Sequence, residues 1–337
     1  MDSLFSLART LIDIESITGN EAAVGHAVCH LLDSRIARYG GSVECIEVEP
    51  GRFNVLAIFG STPTLTFSTH LDTVPPFFAS REDEDFIWGR GACDVKGIIA
   101  AMITAADQLL AEGIRNFACL FVVGEERNSA GAYHAGRNPR GSKFLINGEP
   151  TENKLALGSK GAHRFEIAAT GRMAHSAYPE LGESAIDKLL NALERLRRMP
   201  LPQDALLGPS TLNIGTIEGG RAPNVISDSA KAEILIRLVD EGESTRAKVL
   251  AAVAPDAQAN EILCIPAMHF GRLPGFATMV AAYTTDIPAF GGAWGQPYLL
   301  GPGTIHVAHT SEERVPKGQL VEAVEIYRAM VRQLLGQ

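Results

Sequence analysis

The chain has no run of lysine or arginine, no Cys-x-x-Cys pair, no internal repeat and no low-complexity tract. Thirty basic residues against 39 acidic ones leave a net charge of −9, so neither nucleic acid nor an anionic membrane is expected as the main partner. The longest apolar stretch, around Ile98 to Ala106, falls far short of the roughly 20 residues that a membrane span needs. The opening Met1-Asp2-Ser3-Leu4-Phe5 lacks a basic segment ahead of an apolar one, so no signal peptide is expected. Leu4, Leu7, Leu11, Ile12 and Ile14 are instead spaced for an amphipathic helix. The five cysteines (Cys29, Cys45, Cys93, Cys119, Cys264) are odd in number. They read as reduced thiols of a cytoplasmic protein, mostly core filler.

The remainder is ordinary in bulk and specific in detail. A length of 337 residues suggests two domains at about 150 residues each. In the first half, short β-rich runs alternate with helical stretches. Val55–Phe59, Leu65–Thr69, Phe117–Val123 and Phe144–Ile146 read as strands, and residues 97–112 as a helix. This pattern predicts an α/β domain with a largely parallel, buried sheet. From about 160 the order becomes βαββαβ: strands at 164–168, 211–216, 230–239 and 261–265, with helices at 183–198 and 244–253. That order predicts a small ferredoxin-like α+β domain. A strand at 297–300 and a helix at 320–335 then return to α/β character. The expected division is therefore a catalytic domain of residues 1–159 and 267–337, interrupted by an inserted domain of residues 160–266.

The residues just past each strand carry the chemistry, because open α/β sheets place their sites at the carboxyl ends of strands. The strand at 65–69 runs into His70-Leu71-Asp72, the one at 117–123 into Gly124-Glu125-Glu126, and the one at 144–146 into Asn147-Gly148-Glu149-Pro150. In an HxD segment the histidine can ligate zinc while the aspartate fixes its tautomer, although such a tripeptide alone more often marks a solvated turn. Asp94, in the Gly-rich turn Gly89-Arg90-Gly91-Ala92-Cys93-Asp94 ahead of a helix, suits a carboxylate bridging two metals or, more simply, a helix N-cap. Two adjacent carboxylates after a buried strand are costly unless a cation offsets them. One of the Glu125-Glu126 pair can then bind metal while the other moves a proton; the plainer alternative is a solvated loop. Near the C-terminus His306 and His309 compete as a last ligand on residue type alone. His26 and His30 lie four apart on a helix but lack the glutamate of HExxH, so they read as surface residues. His134, His163 and His269 read as structural or solvent-facing.

Taken in order, these segments resemble the zinc aminoacylase and metallopeptidase family of acetylornithine deacetylase, succinyl-diaminopimelate desuccinylase and carboxypeptidase G. The resemblance runs along essentially the whole chain. Its carriers are Ser68-Thr69-His70-Leu71-Asp72, Gly89-Arg90-Gly91 through Asp94-Val95-Lys96-Gly97, Glu125-Glu126 and Gly148-Glu149-Pro150-Thr151. Later carriers are Gly171 through Ala174-His175-Ser176, Gly219-Gly220 with Asn224-Val225-Ile226, and Gly301-Pro302-Gly303 with Ala308-His309.

The resemblance implies two zinc ions, replaceable by cobalt. His70, Asp94 and Glu149 would hold one, and Asp94, Glu126 and His309 the other, with Asp94 bridging. The Ala308-His309 pairing favours His309 over His306. Asp72 would orient His70, and Glu125 would be the general base. His175 would help polarise the scissile carbonyl, in relatives often from the partner subunit of a dimer. Asn224, Arg237 and the backbone of Gly301 and Gly303 would contact substrate. Cys93, one residue before Asp94, is expected to face away from the metals. The implied activity is amide hydrolysis in an N-acyl amino acid or short peptide, with deacetylation of acetylornithine or acetyl-lysine first. Desuccinylation and carboxypeptidase or dipeptidase action are the alternatives, and a homodimer through the inserted domain is a further expectation. A catalytically silent relative that only binds a small molecule would lack a ligand or the base, and none is missing.

Overall fold

A computed structural model describes residues 2–336. Residue contacts divide the chain into two compact units. The first holds the residues up to Leu157, then Phe270–Met279 and everything from Thr285 on; the second holds Gly158–His269 and Val280–Thr284. The sequence places Val280–Thr284 with the first part. Within the second unit the backbone N–H of Lys160 donates to the carbonyl of Ala281 at 2.9 Å.

The first unit is built on a nine-stranded sheet whose order begins Ser42–Glu49, Arg52–Phe59, Phe117–Val122, Leu65–His70, Phe144–Asn147, Gln296–Leu299. The last four of these run parallel, and the first two form an antiparallel edge. The mixed α/β class with a largely parallel sheet is thus as the sequence predicts. The antiparallel edge goes unpredicted, since Ser42–Glu49 alternates exposed and half-buried residues and lacks a continuous apolar run.

The central strands are apolar throughout because both their faces are covered. Val55, Ala57, Phe59, Leu65 and Phe67 point into a core formed with the helices Asp2–Ile12, Ala22–Tyr39, Lys96–Ala111 and Lys317–Leu335. Their neighbours Leu56, Ile58, Ala118 and Leu120 point the other way, onto Ala132 and Ala135 of the helix Ala130–Arg137 and onto Phe290 and Trp294. The helix Lys96–Ala111 is buried on nearly every side; its many alanines let the sheet and the neighbouring helices approach closely.

The second unit has a four-stranded antiparallel sheet, ordered Thr211–Gly219, Ser229–Leu238, Gly161–Thr170, Gln258–Ile265. Alternation on Ser229–Leu238 sends Ala232, Ile234 and Ile236 into one core with Leu189, Leu193 and Leu196 of the helix Ala185–Arg198 and Val249 and Val253 of Glu243–Val253. The hydroxyl of Ser184 caps the first of these helices by accepting from the backbone N–H of Asp187 at 3.1 Å.

All five cysteines are free. Cys93 and Cys119 are buried in the core, whereas Cys45 stands exposed, so it is not the core filler expected of most of them. Among the described residues no helix is long and apolar enough to cross a membrane.

Tyr327 is fully buried, and its hydroxyl donates to the carbonyl of Leu300 at 2.8 Å. Tyr327→Phe leaves that carbonyl short of a donor. It is expected to lower stability by about 1–2 kcal/mol in urea unfolding; an unchanged midpoint would show that the bond contributes nothing.

Candidate metal centre

Three parallel strands end level with one another. His70 pairs with Val122, and Ser68 with Asn147, so the residues after each strand emerge at the same edge of the sheet. His70 closes its own strand, Gly124 turns the chain with φ +84° into Glu125 and Glu126, and Gly148 leads to Glu149. Asp94 arrives from the turn before Lys96–Ala111, where Val95, not Asp94, occupies the N-cap. His309 arrives from the segment after Gly301-Pro302-Gly303, with its backbone in the left-handed region at φ +62°.

These side chains meet. His70 Nε2 lies 3.1 Å from Asp94 Oδ1. His309 Nε2 lies 3.3 Å from Asp94 Oδ2 and 3.0 Å from Glu126 Oε1. Ligand atoms of His70, Asp94 and Glu149 all fall within 4.8 Å of one another, as do those of Asp94, Glu126 and His309. Asp94 is common to both groups. His70, Glu125 and Glu126 form a third such group, so proximity alone does not separate Glu125 from a ligand. His306 is exposed and joins none of these groups among the described residues. Cys93 directs its thiol to the carbonyl of Thr304 at 3.3 Å. His26 and His30 are exposed on their helix.

Asp72 does more than the HxD spacing suggests. The nearest acceptor to His70 Nδ1 is the main-chain carbonyl of Asp72 at 2.9 Å, with the carboxylate at 3.5 Å. The carboxylate also grips the next strand's turn. Oδ1 accepts from the N–H groups of Gly124 (2.9 Å) and Glu125 (3.0 Å). Oδ2 accepts from the N–H of Glu126 (3.1 Å) and the hydroxyl of Thr18 (2.7 Å). The backbone that carries Glu125 and Glu126 is therefore held by a buried anion.

The electrostatics follow from the donors each carboxylate has. Burial would push Asp72 up, but its hydrogen bonds, His70 first, hold it below the usual range. Asp94 is likewise held low against burial by His309 and His70. Glu125 and Glu149 are pushed well up, chiefly by burial and then by the surrounding carboxylates. Burial also raises Glu126, although His309 opposes it. Hydrogen bonds to Asp94 and Glu126 lift His309 to about 10. In His70, burial disfavours the charged form, but Asp72 and Asp94 outweigh it and hold the imidazole above its ordinary value.

The residues present fit a pair of divalent cations. Glu149 Oε1 is buried without a hydrogen-bond partner. The carboxylates crowd to the point of raising one another, and the donors are imidazole nitrogen and carboxylate oxygen, the set zinc accepts.

Sequence reasoning missed several residues that shape the site. Glu313 lies in the charge run Glu312-Glu313-Arg314, which reads as solvated, yet it is fully buried and bonds to the Asp94 turn. Asp286 is buried, its carboxyl pushed up to about 7 by desolvation; a lone aspartate before Ile287-Pro288 carries no sequence signal. Thr18 sits in an unremarkable loop.

The N–H groups of Gly301 and Gly303 donate within the protein, to the hydroxyl of Thr151 at 3.0 Å and the side-chain oxygen of Gln319 at 2.7 Å. These positions are glycine for lack of space. A Cβ on Gly301 would lie 2.6 Å from the Glu149 carbonyl, and one on Gly303 (φ +86°) 2.5 Å from Cys93 Sγ.

His175, Asn224 and Arg237 belong to the second unit. Ala174–His175 pairs with Val225–Ile226, and the carbonyl of Asn224 accepts from the N–H of Ser176 at 3.0 Å. His175 and Asn224 are thus neighbours. Arg237 lies half-buried on Ser229–Leu238, where burial lowers its guanidinium.

A parallel α/β sheet with clustered imidazole and carboxylate donors at its strand ends defines a metal-dependent hydrolase. The chain matches peptidase family M20/M25/M40 over residues 66–333 and belongs to that family. It is 40% identical to a peptidase M20 domain-containing protein of Schizosaccharomyces pombe, over 98% of this chain and 84% of that protein. It is 36% identical to a probable carboxypeptidase of Aspergillus niger, over 97% of this chain and 88% of that one. Among solved structures it resembles aminopeptidase PepT from Bacillus cereus (TM-score 0.82, 21% identity, 99% of this chain and 98% of that one). It also resembles the YXEP protein of Bacillus subtilis, described as a dinuclear metal-binding peptidase (TM-score 0.69, 17% identity, 96% of this chain and 95% of that one).

Asp72→Ala removes the acceptor shared by three backbone N–H groups. Hydrogen bonds to a charged acceptor contribute about 1.5–3 kcal/mol, so amide exchange at residues 124–126 is expected to quicken on the order of tenfold or more. Wild-type exchange rates there would refute the role given to Asp72.

Proposed function

We propose that the protein hydrolyses the amide bond joining an acyl or peptidyl group to an amino acid, with two zinc ions held by His70, Asp94, Glu149, Glu126 and His309. The single observation that carries this is the shared position of Asp94 between two groups of ligand atoms within 4.8 Å. When bound, the zinc ions supply Lewis-acid polarisation of the carbonyl and acidify water towards a pKa of about 7. Glu125 is the proton carrier. It takes the proton of the attacking water and passes it to the departing amine, as its place beside His70 and Glu126 allows. Asp72 acts through the backbone, fixing the turn from which Glu125 and Glu126 project. His175 is assigned the polarisation of the carbonyl, and Arg237 and Asn224 the recognition of a carboxylate; these three roles rest on the motif resemblance.

Two forms of the reaction share this chemistry. Release of a C-terminal residue is favoured by relatives at 36% identity that are named probable carboxypeptidases. Deacetylation of acetylornithine or acetyl-lysine is the second form, and the overall resemblance to the family that includes acetylornithine deacetylase supports it. The protein is assigned to the cytoplasm. It is also assigned a homodimer through its second unit, supported by Leu190 and Ile217, which stand exposed on that unit's helix and outer strand. Sedimentation velocity should give a dimer that Ile217→Lys shifts towards monomer; a wild-type monomer rules the assembly out.

Glu125→Gln is expected to keep its zinc and lose roughly 10²–10⁴-fold in turnover; activity at wild-type level would remove Glu125 as the base. His309→Ala should lower metal content while His306→Ala leaves it unchanged, and equal losses would undo the choice between them. Assaying zinc- and cobalt-loaded protein on N-acetyl, N-succinyl and dipeptide substrates separates the two forms.

A further inference from the structure

We infer that Glu313, locked in place by Arg90, is a positioning residue of the metal centre that holds the Asp94 turn and the His309 segment in one arrangement. This deepens the metal-centre reading and rests on it. The carboxylate of Glu313 is fully buried, and every hydrogen bond it makes reaches across more than two hundred residues of chain. Oε1 accepts from three N–H groups of one turn, those of Gly91 (2.9 Å), Cys93 (3.3 Å) and Asp94 (3.1 Å). Converging N–H groups of this kind form a nest for an anion. Here the anion is a side chain of the protein itself.

The second oxygen is held as tightly. Glu313 Oε2 accepts from Arg90 Nη1 at 2.5 Å, and both side chains are almost completely shielded from water. Arg90 is fixed in turn: its Nε donates to the carbonyl of Pro76 at 3.1 Å, and its backbone N–H donates to the carbonyl of Phe78 at 3.1 Å. The backbone carbonyl of Glu313 accepts from the N–H of Gly89 at 3.2 Å. Residues 89–94 are therefore clasped at both ends by one residue.

That residue stands four positions after His309. Asp94 and His309 come from distant parts of the chain, yet their side chains must meet within 3.3 Å. Glu313 is the point at which the two segments are bonded together by backbone and charge. Removing it frees three N–H groups on the turn that presents Asp94 and leaves the Arg90 guanidinium buried without its partner. Both changes loosen the group that both ligand sets share. A residue with a merely structural part would lower stability and leave the metals alone, so metal binding is the readout that separates the two.

The test uses full-length Glu313→Ala and Glu313→Gln, the latter retaining size and an oxygen acceptor should the alanine variant fail to fold. Asp107→Asn serves as a control, since Asp107 pairs with Arg35 at 2.7 Å on a helix-to-helix contact outside the site. Far-UV circular dichroism and melting give the fold. Zinc affinity by chelator competition and the visible spectrum of the cobalt-loaded protein give the site. Supporting residues around metal ligands typically change affinity by roughly 10–100-fold. The Glu313 variants are expected to lose affinity in that range and to shift the cobalt bands, while Asp107→Asn loses melting temperature only. Folded Glu313 variants with wild-type zinc affinity and cobalt spectrum overturn the proposal, even if they melt earlier. If the wild type takes up no zinc, or Asp94→Ala takes up as much as wild type, the underlying metal-centre reading is what fails.

Discussion

The constraint on which the first unit depends is the burial of several carboxylates where three parallel strands end. Asp72, Asp94 and Glu149 are all nearly inaccessible to water, and anions in such a place must be bonded, paired or neutral. Bonding and pairing both occur within a few ångströms. Asp72 has four hydrogen-bond donors and stays low. Asp94 is paired with two imidazoles. Glu125 and Glu149 lack comparable donors and are pushed up. Bound cations would offset the charge of those two and reverse the shift.

Packing supplies the precision that charge alone would not. A Cβ on Gly148 would lie 2.4 Å from Ile98 Cγ2 and one on Gly301 would press on the Glu149 carbonyl, so the Glu149 loop is wedged between the helix Lys96–Ala111 and the segment that follows the strand Gln296–Leu299. That same helix begins two residues after Asp94. The core and the site are thus one structure: the alanine-rich helix that fills the sheet's face also sets where two of the candidate ligands can lie.

How much of this was legible in the sequence depends on how local the signal is. Buried strands show as apolar runs, and the residues just past them are visible as His70-Leu71-Asp72, Glu125-Glu126 and Gly148-Glu149. The antiparallel edge Ser42–Glu49 was not legible because a half-exposed strand lacks that run. Glu313 was hidden by its charged neighbours, and only the long-range contact to Gly91, Cys93 and Asp94 reveals it. The glycines of Gly301-Pro302-Gly303 were legible as a motif, but their steric reason was not: in space Glu149 and Cys93 leave no room for a Cβ. His309 was separable from His306 only by family resemblance, since both are histidines in one short segment. Spatially the difference is plain, for only one of them meets Asp94 and Glu126.

Asp72 also explains how two adjacent glutamates can take different parts. Side chains on consecutive residues of a turn leave the backbone in different directions, and which direction each takes is decided by the peptide groups between them. Those peptide groups are the ones Asp72 holds, through the N–H groups of Gly124, Glu125 and Glu126. Under the proposed roles, the divergence of Glu125 and Glu126 is set by the backbone that Asp72 holds. Glu126 reaches His309 at 3.0 Å. In an HxD tripeptide the aspartate is expected to serve the histidine before it; here its carboxylate also serves the turn that carries the two glutamates of the next strand.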